Sequence, residues 1–335
     1  MSAPLISILL PAYDAAGTLP ACLRSIARQT EQRWECVIAD DGSRDATLAL
    51  AREAAARDPR FRVLSFPHRG LVATLNDALP HCRGKFVARM DADDVMHRER
   101  LAAQLAALER APRLAAVGCH VRVFPRSALG PGLRAYERWL NSLTSAAQVR
   151  ADALVESPVA HPTLFVRSEV LRAFGYRDLG WPEDYDLVLR LLAAGHEVGV
   201  VPRRLVCWRE HGRRLTHTAD AYRIERFTLL KASFLASSFL ADVDTYVLWG
   251  YGHTGRALRR ALLAHGKRPS HVVELHPGRL GQTIHGAPVV PPDALPALAP
   301  RRIVASVAGA EARGQIREAL RGWGFRELVD FVCAA

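Results

Sequence analysis

Lysine is almost missing from this chain: Lys85, Lys231 and Lys267 are the only ones among 45 basic residues. The formal charge of +11 is therefore carried by arginines, scattered through an Ala-rich background. No basic block interleaves with aromatic residues as a base-stacking platform would, so the charge does not make a nucleic-acid footprint. A weak attraction to anionic headgroups, at the inner surface of a membrane, suits it better. Cysteine pairs are lacking too. Cys22, Cys36, Cys82, Cys119, Cys207 and Cys333 form no C-x-x-C and no metal spacing, which predicts buried thiols in a reducing cytosol. Met1 to Leu10 lacks a basic n-region and a full apolar h-region, so no signal peptide is expected. Long apolar runs are also missing. The stretch Phe227 to Trp249 is broken by Lys231, Asp242 and Asp244, short of the roughly 18 apolar residues a spanning helix needs. A soluble, cytoplasmic, globular chain is expected, long enough at 335 residues for two domains. The oligomeric state is left open, a homo-oligomer included.

What is present is an alternation. Leu5–Leu10 is a short apolar run closed by Pro11, and Leu19, Leu23 and Ile26 then recur at helical spacing. Trp34–Ala39, Phe61–Leu64 and Lys85–Met90 read as further strands, with helices over residues 45–57 and 71–80 between them. Strand alternating with helix over 100 residues predicts an α/β domain with a largely parallel sheet. A helix over 98–110 and a strand over 115–124 follow, then a Gly/Pro-containing loop, a helix over 186–194 and a connecting helix over about 219–241. The αβ pattern restarts at Tyr246–Trp249. The expected organisation is a first domain over 1–218, a connector over 219–243 and a second domain over 244–335.

Three acidic clusters stand where predicted strands give way to loops: Asp40-Asp41-Gly42-Ser43, Asp91-Ala92-Asp93-Asp94 and Glu183-Asp184-Tyr185-Asp186. In an open α/β sheet the ligand site lies beyond the carboxyl ends of the strands, so such clusters can share one crevice. Each also has a purely structural reading. Asp40 or Asp41 before Gly42 suits an Asx-turn. Asp91, Asp93 and Asp94 suit a cap for the helix near His97. Glu183 and Asp184 suit the first turn of a helix, favoured there by the macrodipole.

The order and spacing of several motifs favour the chemical reading. Ile6-Ser7-Ile8-Leu9-Leu10-Pro11-Ala12-Tyr13, then Asp40-Asp41-Gly42-Ser43 with Asp45 and Thr47, resembles the opening of the large inverting GT-A glycosyltransferase family, family 2. Arg69-Gly70 with Asn76, the Asp91–Asp94 cluster, Glu183-Asp184 ahead of Arg190, and Trp208-Arg209 through Leu215-Thr216 fit it in the same order, over about residues 4–218. Asp14, where many members have Asn, is a departure. The resemblance implies a GT-A fold and a nucleotide-sugar donor held with Mn2+ or Mg2+. It implies Pro11, Tyr13, Asp41, Arg69 and Asp91 at the donor, Asp93 as the principal metal ligand with Asp91, and Asp184 as general base with Glu183 orienting the site. His161 and His211 lie in the second half of the domain, and His211 is a candidate further metal ligand. A glycan or lipid-linked acceptor is the expected co-substrate, with a UDP-sugar first among donors.

Gly250-x-Gly252-x-x-Gly255 lies between a strand and a helix, with Glu274 ending the next strand, as in a dinucleotide-binding fingerprint. The last 90 or so residues resemble the small Rossmann-like domain of some sugar-modifying acyltransferases and glycosyltransferases. A nucleotide bound there, or a scaffold without a ligand, both fit. Two other functions compete with sugar transfer. One is an NAD(P)-dependent sugar-nucleotide oxidoreductase centred on this domain, which lacks a Tyr-x-x-x-Lys pair. The other is a non-catalytic sugar-nucleotide sensor, which has no need of Asp184.

Overall fold

The computed structural model describes residues 3–298 and 302–335. It divides into two compact units. The first comprises residues 1–150, 158–179 and 183–217, and the second comprises 151–157, 180–182 and 218–335.

The first unit is built on an eight-stranded sheet. Its strands are β1 (Ile6–Ala12), β2 (Trp34–Asp40), β3 (Phe61–Ser65), β4 (Phe86–Arg89), β5 (Val95–Met96), β6 (Leu114–Phe124), β7 (Phe165–Arg167) and β8 (Glu197–Arg209). They lie in the order β3-β2-β1-β4-β7-β6-β8-β5. The half made by β3, β2, β1 and β4 is parallel. Its central strands β1 and β2 are buried along their whole length, as strands covered on both faces must be. Beyond β4 the sheet becomes mixed: β7 runs antiparallel to both β4 and β6, while β6 and β8 run parallel.

One core cluster joins Ile6, Ile8, Leu10, Cys36 and Ile38 to Leu19, Leu23 and Ile26 of helix Leu19–Ala27, and to Leu101, Leu105 and Leu108 of helix Arg100–Arg110. Each such side chain fully withdrawn from water contributes roughly 1.5–3 kcal/mol. β1 does not stop at Pro11 but continues to Ala12. The β1–β4 ladder ends at Leu9 and Arg89, and alternate residues face β4, so the missing N–H of Pro11 costs no ladder bond there.

The second unit holds a six-stranded sheet: β9 (Thr245–Trp249), β10 (Arg268–Val273), β11 (Thr283–Ile284), β12 (Ala287–Val290), β13 (Ile303–Ala305) and β14 (Phe331–Cys333), in the order β11-β12-β10-β9-β13-β14. The five parallel strands of this sheet, apart from antiparallel β11, follow the Rossmann-like sequence third-second-first-fourth-fifth. The helix expected as a connector is instead part of this unit. Helix Ile224–Ser237 contributes Ala232 and Leu235 to a core with Tyr246, Leu248, Leu258 and Leu262, because its apolar positions need a buried face. The unit also takes residues 151–157 from earlier in the chain, where Arg317 pairs with Asp152 and Lys231 donates to the Val155 carbonyl. Among the described residues no helix is long and apolar enough to cross a membrane.

Candidate active site

Strand β2 delivers Asp41 immediately beyond its end, and Gly42 turns the chain there. Gly42 has φ +70°, and a Cβ on it would stand 2.8 Å from the His68 backbone nitrogen. Asp41 is 4% exposed, and its carboxylate is engaged by the opposite loop. Its Oδ1 accepts from the Arg69 N–H at 2.9 Å, and its Oδ2 from the Gly70 N–H at 3.0 Å and from His68 Nδ1 at 2.8 Å. Asp41 thus fixes the 68–70 loop in place. His68 in turn stacks on Tyr13, centroids 4.1 Å apart and planes inclined by 16°. Arg44 donates to the Tyr13 hydroxyl at 2.7 Å. Pro11 is buried in β1, and the Arg69 guanidinium is drawn onto Asp77. Pro11, Tyr13, Asp41 and the Arg69 backbone therefore lie around the ends of β1 and β2.

The second cluster follows β4. Asp91, Asp93 and Asp94 bring one oxygen each to within 4.8 Å of one another. Asp94 is 1% exposed; its Oδ1 accepts the Arg209 N–H at 2.7 Å, while its buried Oδ2 has no partner among the described residues. His211 Nε2 stands 2.8 Å from Asp93 Oδ2, and the Arg209 side chain donates to the Asp93 carbonyl at 2.7 Å. The end of the long strand β8 therefore closes onto the acidic loop.

Burial pushes Asp94 well above the ordinary carboxylate range, and the charges of Asp91 and Asp93 add to it. Asp93 is raised by burial and then by Asp91, against the His211 hydrogen bond. Asp91 goes the other way: burial opposes its ionisation, but Arg89, with His161 and Arg214, holds it below the usual value. An orphaned buried oxygen amid crowded hard oxygens is what a divalent cation would satisfy, so these residues fit one.

Arg89 lies outside the sequence motifs. It is 2% exposed, and its guanidinium bonds Asp91. Buried Arg100 donates to its carbonyl at 2.8 Å, fixing the end of β4. Its field also bears on Glu183, Asp184, Tyr176 and His161. Arg89 is thus the cation shared by the second and third acidic clusters. A charged residue inside the otherwise apolar stretch Phe86–Met90, two positions before an Asp, was the available signal.

The third cluster opens helix Glu183–Ala193. Burial, then the neighbouring Glu183 charge, raises Asp184 to about 8. Asp184 Oδ1 accepts the Tyr185 N–H at 2.8 Å. Glu183 is 4% exposed, and its Oε1 lies 3.2 Å from His161 Nδ1. Asp186 does something different: it pairs with Arg177 and with Arg190, at 2.5 and 2.7 Å. Arg190 donates to the carbonyls of Phe174 and Gly175, so Asp186 braces the loop that carries Tyr176. Asn76 grips that loop as well, exchanging two bonds with the Tyr176 backbone at 2.9 and 3.0 Å.

Comparison with known proteins fits this layout. Residues 7–174 match the family described as Glycosyl transferase family 2. The chain belongs to glycosyl transferase family 2. The EpsE protein of Bacillus subtilis (strain 168) is 29% identical over 235 residues, 68% of this chain and 81% of EpsE. Two solved structures share the fold of this family 2 glycosyltransferase. TarS of S. aureus in complex with UDP-GlcNAc aligns with TM-score 0.56 and 17% identity over 78% of this chain and 72% of that one. The mannosyltransferase PcManGT of Pyrobaculum calidifontis, in complex with GDP-Man and Mn2+, aligns with TM-score 0.54 and 18% identity over 98% and 83%. The family 2 enzyme described here therefore has a GT-A fold.

Its remaining predicted site residues, Gly250, Gly252, Gly255 and Glu274, belong to the second unit. Gly250 has φ +97°, and a Cβ on Gly255 would stand 2.0 Å from the Gly250 carbonyl, so helix His253–Leu263 packs hard against the end of β9. Glu274 Oε1 accepts from the Tyr251 N–H at 3.0 Å and from Arg279 at 2.9 Å. The carboxylate expected at a ribose hydroxyl is thus engaged in closing the glycine loop.

Proposed function

We propose that this glycosyltransferase is a metal-dependent, inverting enzyme that moves a sugar from a nucleoside-diphosphate donor to a hydroxyl of a glycan or lipid-linked acceptor. The observation that carries the reading is the pairing of two unlike carboxylate sites around Arg89: crowded oxygens at Asp91–Asp94, and one raised carboxyl at Asp184 beside Glu183. Asp91, Asp93 and Asp94, with His211, would hold the cation, which when bound supplies Lewis-acid neutralisation of the leaving diphosphate. Tyr13 offers the base a stacking face and Asp41 organises the 68–70 loop around it, while Pro11 shapes the floor. Asp91 sits where it can meet ribose or metal.

Asp184 takes the proton of the attacking hydroxyl. A sugar hydroxyl is a poor nucleophile near neutrality, and a base whose pKa lies near the working pH serves it best. In-line attack from the face opposite the diphosphate inverts the anomeric carbon. A UDP-sugar is the donor we expect first, and TarS with UDP-GlcNAc supports that reading, although PcManGT carries GDP-Man. The setting we propose is the cytoplasmic side of a membrane, with peripheral contact through arginine. In the second unit the engaged Glu274 favours a scaffold or a nucleotide-binding module over an NAD(P) oxidoreductase.

Asp184→Asn tests the base. The expected result is a loss of donor turnover, with water or sugar as acceptor, of about 10²–10⁴-fold, with nucleotide binding kept. Retained turnover would point to another base, and nucleotide binding without turnover in the unsubstituted chain would point to the sensor reading.

A further inference from the structure

We propose that His161 is a positioning residue, held by Tyr176 as the neutral Nδ1–H tautomer so that it keeps Glu183 ionised beside Asp184. The proposal rests on the reading of Asp184 as the base.

Three buried polar groups stand in a row. Tyr176 is 5% exposed, His161 7% and Glu183 4%. The Tyr176 hydroxyl lies 3.1 Å from His161 Nε2, and His161 Nδ1 lies 3.2 Å from Glu183 Oε1. The imidazole is neutral, because burial and then the charge of Arg89 depress its affinity for a proton. A neutral imidazole carries one N–H. A carboxylate only accepts, so the proton belongs on Nδ1, and Nε2 is left to accept from the phenol. Tyr176 keeps its proton, since burial raises its pKa. The Tyr176 hydroxyl then donates to Nε2, and the Nδ1–H faces Glu183 Oε1 across 3.2 Å.

The anchor of the row is remote. Asn76 and Arg190 fix the backbone on either side of Tyr176, and His161 and Pro162 sit in a single turn of 3₁₀ helix, His161–Thr163. An ionised Glu183 is the charge that lifts Asp184 beyond what burial does alone. The charged and titratable groups facing His161 are Glu183, Tyr176, Arg89 and Asp91; those bearing on Asp184 are Glu183, Arg89 and Tyr176.

Two measurements on the full chain test this without any acceptor. Long-range ¹H–¹⁵N spectra of [¹⁵N]histidine-labelled protein, with His161 assigned by its loss in His161→Gln, should show a neutral Nδ1–H ring throughout pH 6–8. Tyr176→Phe should shift the Nε2 resonance. An Nε2–H ring, or an imidazolium at pH 7, overturns the proposal. Carboxyl ¹³C titration of Asp184, assigned through Asp184→Asn, should have its midpoint at about 8. In His161→Leu Glu183 takes up a proton, and the Asp184 midpoint should fall by about one unit. His161→Gln, whose amide can still donate, should restore it and guards against misfolding. A midpoint unmoved in His161→Leu, or moved upward, overturns the proposal while leaving the base assignment intact. Conversely, turnover retained in Asp184→Asn removes the base assignment and leaves the tautomer and the Glu183 contact standing.

Discussion

Asp41 and Asp184 are both largely withdrawn from water, yet their carboxylates meet different partners. Asp41 accepts two backbone N–H groups and faces His68, so its carboxylate is a structural acceptor as well as part of the donor mouth. Asp41→Ala strands the N–H groups of Arg69 and Gly70, and unfolding free energy should fall by about 1–3 kcal/mol, read from urea midpoints. Asp184 accepts the Tyr185 N–H, but burial and then the Glu183 charge raise it to about 8. In the unfolded chain an Asp titrates near about 3.9. The folded state therefore binds the extra proton between those values, and stability falls as pH rises from about 4 through about 8. Without added metal, urea midpoints should drop across that window, and Asp184→Asn should flatten the drop. A slope unchanged by the substitution would contradict the environment assigned to Asp184.

The elements explain which parts of this site were legible. β1, β2 and β4 are buried, so apolar residues dominate them, and the acidic residues that close β2 and follow β4 stand out against them. The strand β8 was not legible. Its 13 residues include Pro202, Arg203 and Arg204, and its register against β6 shifts twice around Cys119–Val121. β7 spans only three residues, too few for a period to show. Yet β8 carries Arg209 and leads to His211, which close the Asp91–Asp94 loop, and β7 lies beside Arg89. Contacts between residues a hundred positions apart, such as Asn76 with Tyr176, have no local signature either. The consequence for β8 is testable. Asp94→Asn keeps an acceptor for the Arg209 N–H but removes a charge, so Mn2+ affinity should fall with little change in melting temperature. Asp94→Ala should lower both. Calorimetric titration with Mn2+, beside thermal melts, separates the two.

At the scale of the whole molecule, the chemistry proposed here lies entirely in the first unit. Every residue assigned to donor, metal or base falls within residues 1–150, 158–179 and 183–217. The second unit is recognisable in sequence from its glycines. Its extent is not, because residues 151–157 join it through Arg317 and Lys231. Gly255→Ala would force a methyl to 2.0 Å from the Gly250 carbonyl, so the second unit should lose about 3 kcal/mol or more. UDP binding in the presence of Mn2+ should survive this substitution at temperatures where the chain stays folded.

The most direct measurement is a thermal shift with UDP, GDP, dTDP and NAD, each with and without Mn2+, since a ligand that binds the native state raises its melting temperature. The account predicts a manganese-dependent rise with one nucleoside diphosphate, lost in Asp93→Ala and kept in Asp184→Asn. A rise with NAD alone, indifferent to metal, would place the functional centre at Gly250–Gly255 and contradict it.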